Sequence, residues 1–111
     1  MQITITDETN YSIIAVSGKL DTDTAVKADS VFSEVLNRKN QLLVDLSALR
    51  YISSAGLRIL LLTAKRVQQK GGKIILFGLQ ASVKEIFEIS GFSSLFRICE
   101  DKGSALAELK A

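Results

Sequence analysis

The chain has 111 residues, 47% of them hydrophobic, which suits one domain spanning 1–111 around one buried core rather than a disordered segment. Its net charge is +2 with acids and bases interspersed, so it carries no basic stripe for nucleic acid and no polybasic patch for a lipid surface. It contains no His and one Cys, which excludes a Ser-His-Asp or Cys-His catalytic set, an internal disulfide and a cysteine-cluster metal site.

The first ten residues, "MQITITDETN", lack the basic and apolar regions of a signal peptide. No apolar run reaches the ~20 residues that direct membrane insertion requires. A cytoplasmic location is therefore expected. "ITI" and "YSIIAVSGKL" are rich in β-branched residues and predict two strands joined by a turn at "TDETN". A helix follows, with Ala25, Ala28, Phe32, Val35 and Leu36 at helical spacing. Asp21 and Thr22 suit its start; Asp21 and Asp23 can also be read as an acid pair, although carboxylates at a helix start already favour the dipole.

"QLLVDL" is a continuous apolar run, as expected of a strand covered on both faces. A second helix is predicted from about Ser54 to Lys70, ended by "KGGK". On it, Leu57, Leu60, Leu61, Ala64 and Val67 share a core face. Ala55, Ile59 and Leu62 project roughly opposite, beside Arg58 and Arg66. "KIILFGL" is a further buried strand. Strand, helix and strand in this order predict a parallel βαβ unit.

Ser82 and Glu85 then match a capping box for a short helix carrying Val83, Ile86, Phe87 and Ser90 inward and stopped by Gly91. "SLFRI" predicts a short strand and "DKGSALAELK" a terminal helix. The order β-β-α-β-α-β-α-β-α specifies an α/β fold: a small mixed sheet with four helices packed mainly on one side.

Little in this pattern resembles an enzyme. "KGGKI" lacks the spacing of a phosphate loop and reads as a helix-to-strand turn. Cys99, in "LFRICED", reads as a small core residue. No cofactor is implied. The segment "ISSAG" has more serines than a helix start needs. Ser53 can cap the helix. Ser54 then stands in the first turn, with no His to activate it and no G-x-S-x-G frame around it. Modification by another enzyme needs only exposure, and a helix N-terminus tolerates a phosphate.

The chain resembles the STAS domains, in particular bacterial anti-sigma factor antagonists. The resemblance rests on "VSGKLDTDTA", "LLVDLSALRYISSAGLRILL", "GGKIILFGLQASVKEIFEISGF" and "LFRI". It implies partner switching. The unmodified protein binds an anti-sigma factor that is also a GHKL-type serine kinase, and so releases a sigma factor. Phosphorylation ends the contact, and a PP2C-type phosphatase restores it. The family signature Asp-Ser-Ser-Gly-Leu falls on Ser53, Ser54, Ala55, Gly56 and Leu57, so Ser54 inherits the acceptor role. Ser53, standing where the family carries Asp, is a possible second acceptor. Asp21 matches an acidic residue close to that turn. The implied partner surface comprises Asp21, Ser53, Ser54, Ala55, Gly56, Arg58, Ile59 and Leu62, with Gly56 admitting a partner backbone. The alternative is a constitutive protein contact in a STAS subunit of a transport or lipid-transport complex.

Overall fold

The computed structural model describes Met1–Ala111. The strands are β1 (Gln2–Asp7), β2 (Ser12–Leu20), β3 (Gln41–Asp45), β4 (Leu49–Ile52), β5 (Lys73–Phe77) and β6 (Arg97–Cys99). The helices are α1 (Thr22–Leu36), α2 (Ser54–Gln69), α3 (Ala81–Ile89) and α4 (Lys102–Lys110). The sheet order is β1-β2-β3-β5-β6; β1 runs antiparallel to β2 and the remaining pairs are parallel.

The alternation of side chains along a strand explains why the central strands read as unbroken apolar runs. Ile14, Val16, Leu42, Val44 and Leu76 face a core closed by Ala28, Phe32 and Val35 of α1, Leu57, Leu60 and Val67 of α2, and Val83 and Phe87 of α3. Ile13, Leu43, Ile75 and Phe77 face the other way and meet Ala105 and Leu109 of α4. Three helices therefore cover one face and α4 alone covers the other. The five apolar residues predicted for the inner stripe of α1 are all buried.

Four local expectations are corrected. First, β4 is absent from the sequence reading, because it has four residues and two of them, Arg50 and Tyr51, point outward. It forms because the nine-residue β2 outruns the five-residue β3. The end of β2, Gly18–Leu20, takes β4 as its parallel neighbour. Second, the box expected from Ser82 and Glu85 does not close α3. Gln80 occupies the cap position without a side-chain cap bond, its amide donating instead to the Ser47 carbonyl at 2.9 Å, so the helix begins upstream of Ser82. Third, Ser90 is exposed and its hydroxyl bonds back to the Ile86 carbonyl. Fourth, "SLFRI" is part turn and part strand. Gly91 adopts a left-handed φ of 78° and turns the chain into a 3-10 turn over Phe92–Leu95, before β6 starts at Arg97. The Phe96 ring then meets Phe87 edge-on, with centroids 5.6 Å apart.

The β1–β2 hairpin carries an acid-sensitive tie. The Ser12 hydroxyl donates to the Asp7 carboxylate, and Arg38 of the segment after α1 reaches the same group at 3.2 Å. The Ser12 bond, followed by Arg38, holds the Asp7 carboxyl below its ordinary 3.8. A carboxylate lowered on folding stabilises the native state above that value and loses its contribution as pH falls through the folded value. Thermal unfolding of Asp7→Asn is therefore expected to lose part of the wild-type fall in Tm below about pH 4. Superimposable Tm-against-pH curves would contradict this.

Candidate functional site at the β4–α2 corner

Strands β2 and β4 run side by side in the same direction and finish level, with Leu20 opposite Ile52. The residue after each strand is extended and caps a helix: Asp21 (φ −131°, ψ −169°) starts α1 and Ser53 (φ −94°, ψ 174°) starts α2. The Ser53 N–H donates to the Leu20 carbonyl at 2.9 Å, which joins the two helix starts at one corner of the sheet. A strand-to-helix turn at the carboxyl ends of parallel strands is the usual location for a binding surface in an α/β fold.

At Asp21 the helix-start reading is the one the geometry supports. Its carboxylate accepts from the N–H groups of Asp23 at 3.0 Å and Thr24 at 3.2 Å, while the Thr24 hydroxyl accepts from the Asp21 N–H at 2.9 Å. This is a reciprocal capping box. Asp23 contributes its acidic charge to the first turn of α1.

The two serines have different environments. The Ser53 Oγ accepts from the Gly56 N–H at 3.3 Å, and the side chain is half-buried. Ser54 is the first residue of α2; it is exposed, and its hydroxyl makes no hydrogen bond within the chain.

Gly56 is not open to a partner. It is buried, and a Cβ built on it would lie 2.6 Å from the Leu20 carbonyl oxygen and 2.8 Å from Ile52 Cγ1. The close approach it permits is that of the chain's own β2. Ile59 is also corrected: it is half-buried and packs against the large core cluster. Thr63 takes the buried place on α2 that Leu61 and Ala64 were expected to fill, with its hydroxyl bonded to the Ile59 carbonyl at 2.9 Å. The bond removes the cost of burying the hydroxyl, a solution that apolar patterning does not anticipate.

Arg66 also turns inward, pairing with Asp29 at 2.7 Å and Ser33 at 3.0 Å on α1. The outward face of α2 is thus Ser54, Arg58, Leu62 and Lys65, with Ala55 half-buried at its margin. Leu62 is 37% exposed, and Val26, the fifth residue of α1 after its cap Asp21, is 79% exposed. Sequence reasoning passed over Val26. The available signal was an apolar residue on α1 outside the buried stripe.

The largest cleft, about 540 Å³, lies elsewhere and shares no residue with this corner. It includes Cys99, which is half-buried and packs on the α4 side of the sheet. Burial, reinforced by nearby Glu108, pushes the thiol pKa up, the opposite of an activated nucleophile. No helix is long and apolar enough to cross a membrane.

The family model for the STAS domain matches residues 1–105. A candidate anti-sigma factor antagonist of Bordetella bronchiseptica, BtrV, is 33% identical over 111 residues, covering 99% of this chain and 96% of the relative. A candidate anti-sigma factor antagonist from Thermotoga maritima has the same fold, with a TM-score of 0.91 at 20% identity over 98% of this chain and 95% of the other. The Bacillus cell fate determinant SpoIIAA, solved in its phosphorylated form, aligns with a TM-score of 0.73 at 15% identity over 96% and 98% of the two chains.

Proposed function

Since this chain belongs to the STAS domain family, we propose that it is an anti-sigma factor antagonist and that phosphorylation of Ser54 switches it off. The observation that carries this reading is the division between the two serines: Ser53 is engaged as the helix cap, and Ser54 is exposed with an unengaged hydroxyl. The chain acts as a regulatory binding protein and not as an enzyme. Its relative BtrV is named for the same antagonist role.

The mechanism follows from the location. A phosphate on Ser54 stands where free N–H groups and the helix dipole receive an anion, so the domain need not rearrange. A partner seated on the outward face of α2 would instead have to bury that charge. The partner is an anti-sigma factor with serine kinase activity of the GHKL type, and a PP2C-type phosphatase resets the switch, with the exchange taking place in the cytoplasm. The contact surface is Ser54, Ala55, Arg58 and Leu62. Asp21 and Ser53 shape the corner, while Gly56 and Ile59 support it from beneath.

Intact-mass analysis after incubation with the cognate kinase and ATP tests the reading. Wild type and Ser53→Ala are expected to gain one phosphate, and Ser54→Ala none. Phosphate added to Ser54→Ala, or none added to wild type, would overturn it. A constitutive contact within a transport complex predicts the latter result.

A further inference from the structure

The arginines fall into two groups. Arg38, Arg66 and Arg97 are ion-paired with Asp7, Asp29 and Glu108. Arg50 and Arg58 are in no such pair; Arg50 is exposed on β4, and Arg58 is exposed on α2, one turn beyond Ser54. Residues four apart on a helix lie on the same face, and an anion placed N-terminal to a cation is the favourable orientation of such a pair. We infer that Arg58 is the internal counter-ion of the switch: once Ser54 carries phosphate, the guanidinium folds back one turn and pairs with it. The inference rests on the reading of Ser54 as the modified residue.

Three features support the assignment. The adjoining cap, Asp21, is an anion already committed to its own helix, so it repels a neighbouring phosphate and cannot hold it. The first turn of α2 contains no acidic residue to occupy Arg58 beforehand. A guanidinium presents a planar fork of donors that suits phosphate oxygens, and the pair is a charge-assisted hydrogen bond as well as a Coulombic contact.

The geometry also separates the two serines. Ser53 is five residues from Arg58, off its face, and its hydroxyl lies against the Gly56 N–H. A phosphate there would gain nothing from Arg58. The pairing has a consequence for binding: phosphorylation adds negative charge to the outward face and simultaneously withdraws a cation that the unmodified protein presents to its partner. Both changes oppose an interface built for the unmodified form.

The test does not depend on the kinase. Phosphoserine is installed at position 54 during translation, and its second ionisation, ordinarily near pH 6, is followed by phosphorus NMR in wild type, Arg58→Gln and Arg58→Lys. A paired cation favours the dianion, so the midpoint is expected to lie lower in wild type than in Arg58→Gln by about 0.3 unit. Arg58→Lys should recover part of the difference, and 1 M salt should erase it. Phosphoserine installed at position 53 should titrate with the same midpoint in wild type and in Arg58→Gln. Equal midpoints for wild type and Arg58→Gln at position 54 would overturn the role of Arg58, whatever the kinase assay shows; failure of the kinase to mark Ser54 would strike the parent reading and leave the measured pairing intact.

Discussion

Replacing Ser54 by Asp should weaken binding of the anti-sigma partner by about 100-fold, or ~3 kcal/mol, in calorimetry. The size of the effect comes from desolvation. Ser54 is exposed in the free protein, so a carboxylate there costs the fold little and even favours the N-terminal dipole of α2. Seating a partner on the outward face removes water from that charge, and an i,i+4 contact with Arg58, worth about 0.2–0.5 kcal/mol, offsets only a small part of that cost. Ser54→Asn, of similar size and uncharged, separates bulk from charge and should bind within a few-fold of wild type. Equal loss in the two variants would show that shape and not charge controls the contact. The melting temperature of Ser54→Asp should stay close to wild type, which distinguishes a lost interface from a damaged fold.

Gly56→Ala should lower stability by about 1–2 kcal/mol, a fall in Tm of roughly 4–8 °C for a domain of this size. Two effects oppose each other here. Alanine favours a helix over glycine by ~1 kcal/mol. Against that, the new methyl would lie 2.6 Å from the Leu20 carbonyl oxygen and 2.9 Å from Leu20 Cγ. The oxygen cannot give way freely, because it accepts the Ser53 N–H at 2.9 Å and so ties β2 to the start of α2. Overpacking against a backbone atom costs ~1–3 kcal/mol and sometimes more, so the clash outweighs the propensity gain. The relief of that clash must tilt α2 or spread the β2–β4 corner, and partner affinity should fall with stability. An unchanged or higher Tm would refute this account of Gly56.

Gly56 also shows how a correct motif can carry an incorrect reason. The pattern of small residues around Ser54 places the corner properly, yet the close contact at Gly56 belongs to a strand more than thirty residues earlier in the chain. No local spacing records that neighbour. The same limit explains Ile59. On an isolated helix it lies away from the Leu57–Leu60–Val67 face, but α1 packs beside α2, and the core wraps round to include it.

The sequence by itself determined the element order apart from the short strand β4, the inner stripe of α1, the two-faced burial of the central strands and the helix start at Ser53. These follow from periodicity and capping chemistry, which act within a few residues. It also singled out Ser54, because one cap requires one serine. Only the tertiary structure decided what lies on each side of that corner. It brought Asp21 beside Ser53 through the pairing of β2 with β4, closed Gly56 against Leu20, drew Arg66 across to Asp29 and left Arg58 without a partner. Each of these depends on which distant segment packs alongside, and contacts between segments far apart in the chain leave no period in the sequence to read.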